Sequence, residues 1–303
     1  MNFSVTILGN NSALPAHDRH PTSQVVNLHN ELLLIDCGEG TQMQMQRYKI
    51  KRSRIKHIFI SHMHGDHYFG LPGLITSYQL NQRKDSLHIY APAPLKNIIQ
   101  QILDSSNSVL NFEVIWHDLH FEKTEMILET ESFTVHSFPV YHRIPTSGFL
   151  ITEKPGLRKI RSEKIEEFQI PNESILAIKQ GKDFVLDNGK VVSNNELTVE
   201  ASAIRKYAFC ADTIFDERIC NSIEFADLIY HESTFMADSA ERAMQTYHCT
   251  ATQAATIALK ANGKKLLLGH FSAKYANLNP LLAEAKTVFK NSELAIEGNT
   301  YLV

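Results

Sequence analysis

The chain has 303 residues, 43% of them hydrophobic, and a formal net charge of −3. That length and apolar content support a large buried core, in one big α/β domain or two small ones. The slight negative charge excludes non-specific nucleic-acid binding driven by bulk charge, so any polyanion must be held by a local patch.

In chain order, the first elements are strands. Phe3 to Leu8, Gln24 to Leu28 and Leu32 to Asp36 are β-rich runs broken by Gly, Pro and Asn. Gly38-Glu39-Gly40-Thr41 turns into a helix that runs to about Tyr48. Ile55 to Ser61 reads as a buried strand and Leu71 to Leu80 as a helix. Leu87 to Ala91 is a strand, and Pro94 to Leu103 a helix with Pro in its first turn. Met126 to Tyr141 contains alternating strands, and Ser147 to Thr152 is another.

From about Glu153 to Glu200 the chain becomes polar and rich in breakers. Asn188-Gly189 there signals a hairpin between Phe184-Val185-Leu186 and Val191-Val192. This stretch reads as an insertion that leaves the core and returns. Lys206 to Ala211 and Asp227 to Tyr230 resume the strands. A helix from Thr250 to Ala261, with Thr250 as N-cap, follows. Then come a strand at Lys265 to Leu268, a helix at Leu281 to Lys290 and a closing strand at Ala295 to Val303. Strands before helices in both halves predict an α/β fold in which two packed sheets are covered by helices, an αββα sandwich.

Six residues carry most of the chemistry: His62-Met63-His64-Gly65-Asp66-His67. They fall between a buried strand and a helix, where backbone curvature can aim several side chains at one spot. Imidazole nitrogen and carboxylate oxygen are the donors that borderline divalent metals such as zinc prefer. His62 and His64 can reach one metal, while Asp66 and His67 point toward a second. His142, Asp212 and His270 each end an apolar run, which is where a sheet delivers side chains to a shared edge. Cys37, Cys210, Cys220 and Cys249 lack a C-x-x-C spacing and read as reduced thiols in a cytoplasmic protein. The N-terminus carries no signal-peptide pattern, and no apolar run approaches the roughly 18 residues of a membrane span.

Over nearly its whole length the chain resembles the metallo-β-lactamase superfamily and, within it, the ribonuclease Z family, endonucleases that mature transfer RNA 3′ ends. The H-x-H-x-D-H loop at His62 to His67 is shared across the superfamily. Asp36-Cys37-Gly38-Glu39-Gly40-Thr41-Gln42, His231-Glu232-Ser233-Thr234 and His248-Cys249-Thr250 are more specific to ribonuclease Z. The resemblance implies a metallo-β-lactamase fold of two mixed sheets flanked by helices. It also implies a single domain over 1–303 with a protruding, substrate-binding arm inserted at 153–200.

By this resemblance His62, His64 and His142 hold one metal; Asp66, His67 and His270 hold the other; and Asp212 bridges both. Two Zn2+ per subunit are expected, with Mn2+, Co2+ or Fe2+ as workable substitutes. Asp36 is expected to orient a ligand histidine from behind. Asp66 is expected to double as proton acceptor for the attacking water. His248 is the candidate acid for the leaving 3′ oxygen, charged by Glu232.

The family's arm grips the elbow of transfer RNA, which implies phosphate contacts from Lys154, Arg158, Lys159, Arg161 and Lys164. The implied substrate is precursor tRNA, the implied assembly a homodimer, with no membrane and no DNA partner. The family's Pro-x-Lys-x-Arg-Asn loop is only partly kept, at Pro15 and Arg19. Two other readings compete. One is a hydrolase of the same scaffold acting on thioesters, lactones or small phosphodiesters; the other is a non-catalytic RNA-binding protein.

Overall fold

The computed structural model describes residues 3–201 and 203–303. The chain divides into two compact units. The larger runs up to Glu129 and adds Thr134–Thr152 and Arg205–Val303; the smaller holds Thr130–Phe133 and Glu153–Ile204.

Among the described residues, the larger unit contains two seven-stranded sheets. The first is ordered Thr300–Leu302, Phe3–Gly9, Ser23–Leu28, Glu31–Cys37, Ile55–Phe59, Leu87–Ala91, Val114–Asp118. The second is ordered Ser292–Leu294, Leu266–Gly269, Leu228–Glu232, Lys206–Cys210, Thr146–Glu153, Phe133–Val140, Glu125–Glu129. Each is mixed: from Glu31–Cys37 to Val114–Asp118 the first is parallel, as is the second from Lys206–Cys210 to Ser292–Leu294. The unbroken apolar runs Leu32 to Ile35, Ala208 to Cys210 and Leu266 to Leu268 suit such strands, which are buried on both faces.

Helices cover the outer faces. Met45, Leu74, Ile75, Leu95 and Ile99 pack on the first sheet. Ala251, Ala255, Ile257, Leu281 and Ala285 pack on the second. Between the sheets, the Phe59 ring lies 5.5 Å from Phe149, which continues through Phe209 to Tyr230. This is the αββα sandwich expected. No helix among the described residues is long and apolar enough to cross a membrane.

Most elements fall within two residues of the sequence reading. The closing strand does not: of Ala295 to Val303 only Thr300–Leu302 is strand, and a separate strand, Ser292–Leu294, precedes it. Ser292–Leu294 joins the second sheet and Thr300–Leu302 the first. The Glu297-Gly298-Asn299 turn between them, with Gly298 at φ 82°, carries the chain from one sheet to the other. Strand Val114–Asp118 had no alternation to reveal it.

The smaller unit has its own small core, formed by Ile170, Ile178, Val192 and Leu197. It includes the expected hairpin, Phe184–Val185 with Val191–Val192. It also contains helices Ser162–Glu167 and Asn172–Lys179.

Candidate metal centre

The parallel strands of both sheets end at one place, and the functional side chains leave from those ends. Asp36 is in strand Glu31–Cys37, and Ser61 to His67 follow Ile55–Phe59. Asp212 follows Lys206–Cys210, Glu232 ends Leu228–Glu232, and His270 follows Leu266–Gly269. Gly38 is required here, because a Cβ would lie 2.5 Å from the Asp66 carbonyl oxygen. Asp36 and His270 both take left-handed backbone, φ 54° and 56°, a strained conformation of the kind held at functional sites.

The structure brings all seven expected donors together in two groups that share Asp212. His62 Nε2 lies 3.0 Å from His64 Nδ1, which lies 3.1 Å from His142 Nε2. Asp212 Oδ2 is 3.7 Å from His62 Nε2 and 3.9 Å from His142 Nε2. On the other side, Asp212 Oδ1 is 3.4 Å from His67 Nε2 and 3.1 Å from His270 Nε2. Asp66 Oδ2 is 3.4 Å and 3.5 Å from those same two nitrogens. Ligands at about 2.0–2.1 Å from a tetrahedral ion stand about 3.3 Å apart, so both groups have the span of a metal site. Three sets among the described residues could hold a metal ion: His62, His64, His142 and Asp212; Asp66, His67 and His270; and Asp212, His248 and His270, which overlaps the other two.

Orphaned atoms give an independent test of the fit. His67 Nε2, His270 Nε2 and Asp212 Oδ1 are buried and have no hydrogen-bond partner. Three such atoms converging would be costly unless a cation satisfied them. The nitrogens turned away are held from behind. His67 Nδ1 donates to Asp36 Oδ2 (2.7 Å) and His142 Nδ1 to the Tyr247 carbonyl (2.8 Å). His270 Nδ1 bonds Thr234 Oγ1 (3.0 Å), and His62 Nδ1 bonds Ser61 Oγ (3.0 Å). Such partners fix the tautomer that leaves the other nitrogen bare.

The electrostatics agree. Burial, with neighbouring imidazoles, pushes His62 and His142 down and His64 down to about 4, so these rings are neutral donors. Burial also opposes charge on His67, yet Asp212, Asp66 and Asp36 outweigh it and raise its pKa. Asp66 and Asp212 are held below the usual carboxylate range, because His67 and His270 outweigh burial. The three carboxylates around His67 favour positive charge in this half of the site.

Beside it stands a carboxylate-paired histidine. His248 Nδ1 donates to Glu232 Oε1 at 3.0 Å. Burial disfavours its charge, but the Glu232 carboxylate prevails and raises it to about 9. Glu232 is fully buried and also accepts from the amides of Cys249 (2.9 Å), Thr234 (3.0 Å) and Thr213 (3.3 Å). Burial favours its neutral form, but His248 holds it ionised. A capping box between Thr250 and Gln253 starts helix Ala251–Lys260 just beyond His248. Asp66, His142, His248 and His270 all line one pocket of about 420 Å³.

Several contributors were missed by sequence reasoning. The Ala13 amide donates to Asp66 Oδ2 (2.7 Å). Thr234 Oγ1 donates to Glu232 Oε2 (2.8 Å) and touches His270, so it links the two halves of the site. Arg143 lines the pocket with Nη2 3.3 Å from His64 Nε2, and it has no carboxylate partner among the described residues. Adjacency to His142 was its one signal. Arg19, kept from the family loop, is turned inward onto Asn11 Oδ1 and the Tyr275 carbonyl.

The arm residues are only partly available. Arg158 donates to Thr198 Oγ1 (2.7 Å) and Asn195 Oδ1 (3.0 Å). Arg161 donates to the Thr198 carbonyl (3.4 Å), and Lys164 pairs with Glu167 at 2.7 Å. Lys154 and Lys159 also have interactions.

Residues 3–157 match the model of a family described as "Anti-Pycsar protein Apyc1". That stretch includes the His62 to His67 loop and His142, but not Asp212, Glu232, His248 or His270. A Ribonuclease Z of Bacteroides fragilis is 44% identical over 296 residues, covering 98% of this chain and 97% of its own. The chain belongs to the ribonuclease Z family. Among solved structures, human tRNase Z, short form, superposes with a TM-score of 0.72 at 26% identity, covering 98% of each chain. The metallo-β-lactamase fold protein YhfI from Bacillus subtilis gives 0.70 at 19%, covering 99% of this chain and 100% of its own. The likeness to YhfI shows the fold alone. The ribonuclease Z relatives extend the match across the residues that supply the Glu232–His248 pair.

Proposed function

We propose that this protein is a metal-dependent endoribonuclease that removes the 3′ trailer from precursor transfer RNA and leaves a 3′-hydroxyl on the tRNA. The observation that carries this reading is one pocket lined by donors from both metal groups and by a carboxylate-charged histidine, in a chain of the ribonuclease Z family. A hydrolase with a good leaving group does not need that second half.

His62, His64 and His142 would hold one ion; Asp66, His67 and His270 would hold a second, with Asp212 between them. Nitrogen and oxygen donors suit zinc first, with manganese, cobalt or iron as alternatives. Bound divalent cations supply positive charge that acidifies water and offsets charge developing at phosphorus. Asp66 accepts the proton of the attacking water; the Ala13 amide holds its carboxylate in place. Arg143 faces the pocket with its guanidinium uncommitted to any acid and takes a non-bridging phosphate oxygen. As the P–O3′ bond breaks, protonated His248 gives its proton to the departing oxygen, and Glu232 stabilises the charged imidazole beforehand. The products are a 3′-hydroxyl on the tRNA and a 5′-phosphate on the trailer.

The inserted segment, Glu153 to Glu200, is assigned to gripping the body of the tRNA through Lys154, Arg158, Lys159, Arg161 and Lys164. A homodimer in the cytoplasm completes the proposal. The test pairs two substrates. Wild type and Asp66→Ala are incubated with a precursor tRNA and with a chromogenic phosphodiester, after metal content is measured. RNA cleavage by wild type alone supports the reading. Turnover of the small ester without RNA cleavage would replace it with the small-substrate hydrolase.

A further inference from the structure

Outside the metal centre, the strongest unassigned feature is electrostatic. Residues 47–56 read Arg47-Tyr48-Lys49-Ile50-Lys51-Arg52-Ser53-Arg54-Ile55-Lys56, six cations in ten residues with no acid. In a chain of net charge −3, this is a local field opposite in sign to the whole.

The fold adds to it. The run joins helix Thr41–Arg47 to strand Ile55–Phe59, and the turn after helix Leu71–Leu80 brings Arg83 and Lys84 alongside. Lys49, Lys51, Arg52, Arg83 and Lys84 line a groove of about 610 Å³ in which Asp85 supplies the one lining carboxylate among the described residues. Lys49, Lys51 and Lys84 are exposed, and no ion pair engages them among the described residues.

Arg83 is a second, separate observation. It is only 9% exposed and stacks 4.7 Å from the Tyr78 ring centroid. Its Nε and Nη2 donate to the carbonyls of Asp85 (2.8 Å) and Ser86 (2.9 Å). Its Nη1 is buried without a partner. The buried guanidinium hydrogen-bonds only to carbonyls; burial lowers its pKa, and nearby Asp85 offsets this only in part. Holding the Asp85–Ser86 turn explains two of its nitrogens. It does not explain why Lys49, Lys51, Arg52 and Lys84 also gather here, an excess of cations that the single Asp85 carboxylate does not balance.

We infer that this groove binds backbone phosphates of the RNA substrate, at a second contact remote from the cut. The inference rests on the RNA-cleaving reading above for the identity of the ligand. Strand Ile55–Phe59 leads from the groove to His62, seven residues on, a span of about 23 Å. An RNA that contacts both must extend further than this span. Lysine contacts to phosphate hold and orient without reading sequence, and they supply the local patch that an acidic protein needs.

The test uses the metal-loaded, full-length protein and the triple variant Lys49→Ala/Lys51→Ala/Lys84→Ala, all at exposed positions. Binding of mature tRNA is followed by fluorescence anisotropy between about 50 and 200 mM salt, and kcat and KM are measured on precursor tRNA. The expected result is at least a tenfold loss of affinity and a log–log salt slope shallower by about two to three. KM rises with kcat unchanged, turnover of a chromogenic phosphodiester is unchanged, and a triple Lys→Arg variant binds normally. Unchanged slope and KM overturn the inference while leaving the catalytic reading intact. Loss of tRNA affinity in a protein that cuts no precursor sustains the groove and fails the catalytic reading. Inorganic pyrophosphate serves as the probe for a free-phosphate site. If it binds wild type and not the triple variant while tRNA binding is the same in both, the RNA assignment is overturned.

Discussion

Asp36→Asn isolates the support behind one metal ligand. The Asp36 carboxylate accepts from the Ser61 amide (2.8 Å), Ser61 Oγ (2.9 Å) and His67 Nδ1 (2.7 Å), and it is fully buried. Asparagine keeps the size and tolerates the φ of 54° that position 36 adopts. It cannot keep all three bonds, because its amide nitrogen is a donor. Turned toward His67, that NH2 forces the imidazole into the opposite tautomer. The proton then sits on Nε2, 3.4 Å from Asp212 Oδ1, where a metal would be held. Turned the other way, it faces the Ser61 amide and leaves a buried donor unsatisfied, costing about 1–3 kcal/mol of stability. Loss of such an outer partner costs about 10–100-fold in metal affinity, or about 1.4–2.7 kcal/mol. Competition with a chromogenic chelator measures that affinity directly, and excess metal should restore part of the activity. A variant that binds metal as tightly as wild type, with unchanged unfolding in chelator, refutes the reasoning.

The other predictions follow from the same geometry. His248→Ala should lower kcat on precursor tRNA by about 10²–10⁴-fold but spare a nitrophenyl phosphodiester, whose leaving group departs without a proton; equal losses on both would remove His248 as the acid. Arg143→Ala should raise KM for both substrates about tenfold, whereas a change in kcat alone would place Arg143 elsewhere in the reaction. Replacing Glu153 to Glu200 by a short turn should retain small-ester turnover, since Thr152 and Lys206 are paired strand neighbours. Precursor KM should rise at least about tenfold, and unchanged RNA cleavage would end the arm's role. His57 is held down to about 4, by burial first and then by His88, His117 and Lys56, against about 6.5 when unfolded. Its folded pKa is the lower one, so the neutral ring's contribution is whole above about 6.5 and is lost as pH falls toward 4. Urea unfolding in chelator should show His57→Phe losing about 2–3 kcal/mol less than wild type from pH 7.5 to 4.5; an equal loss would contradict this.

The sandwich was legible because buried parallel strands read as continuous apolar runs, and a polar residue ending such a run marks the sheet edge. That pattern located His142, Asp212 and His270, and the family motifs located Asp36, Glu232 and His248. Part of what escaped has no one-dimensional signal. The Ala13 amide bonding Asp66 depends on a backbone turn 53 residues away. Thr234 reads as a small residue in a motif, and its links to Glu232 and His270 exist only once two parallel strands align. Charge alone does not tell an engaged cation from an unengaged one. Arg158, Arg161 and Lys164 looked free and are partly engaged within their own unit. The denser run from Arg47 to Lys56 lies inside the core fold, where a loop and a strand start would ordinarily absorb it.

Whether the Glu232–His248 pair and the metal donors act together on RNA is read most directly from the ends they create. Metal-loaded protein is incubated with a 5′-labelled precursor tRNA, and the upstream fragment is mapped and tested for a free 3′-hydroxyl by ligation. One cut near the end of the acceptor stem, a ligatable 3′-hydroxyl and a 5′-phosphate on the trailer are expected, all lost in Asp66→Ala. A cyclic or 3′-phosphate end, or intact precursor alongside brisk turnover of a small phosphodiester, would contradict it.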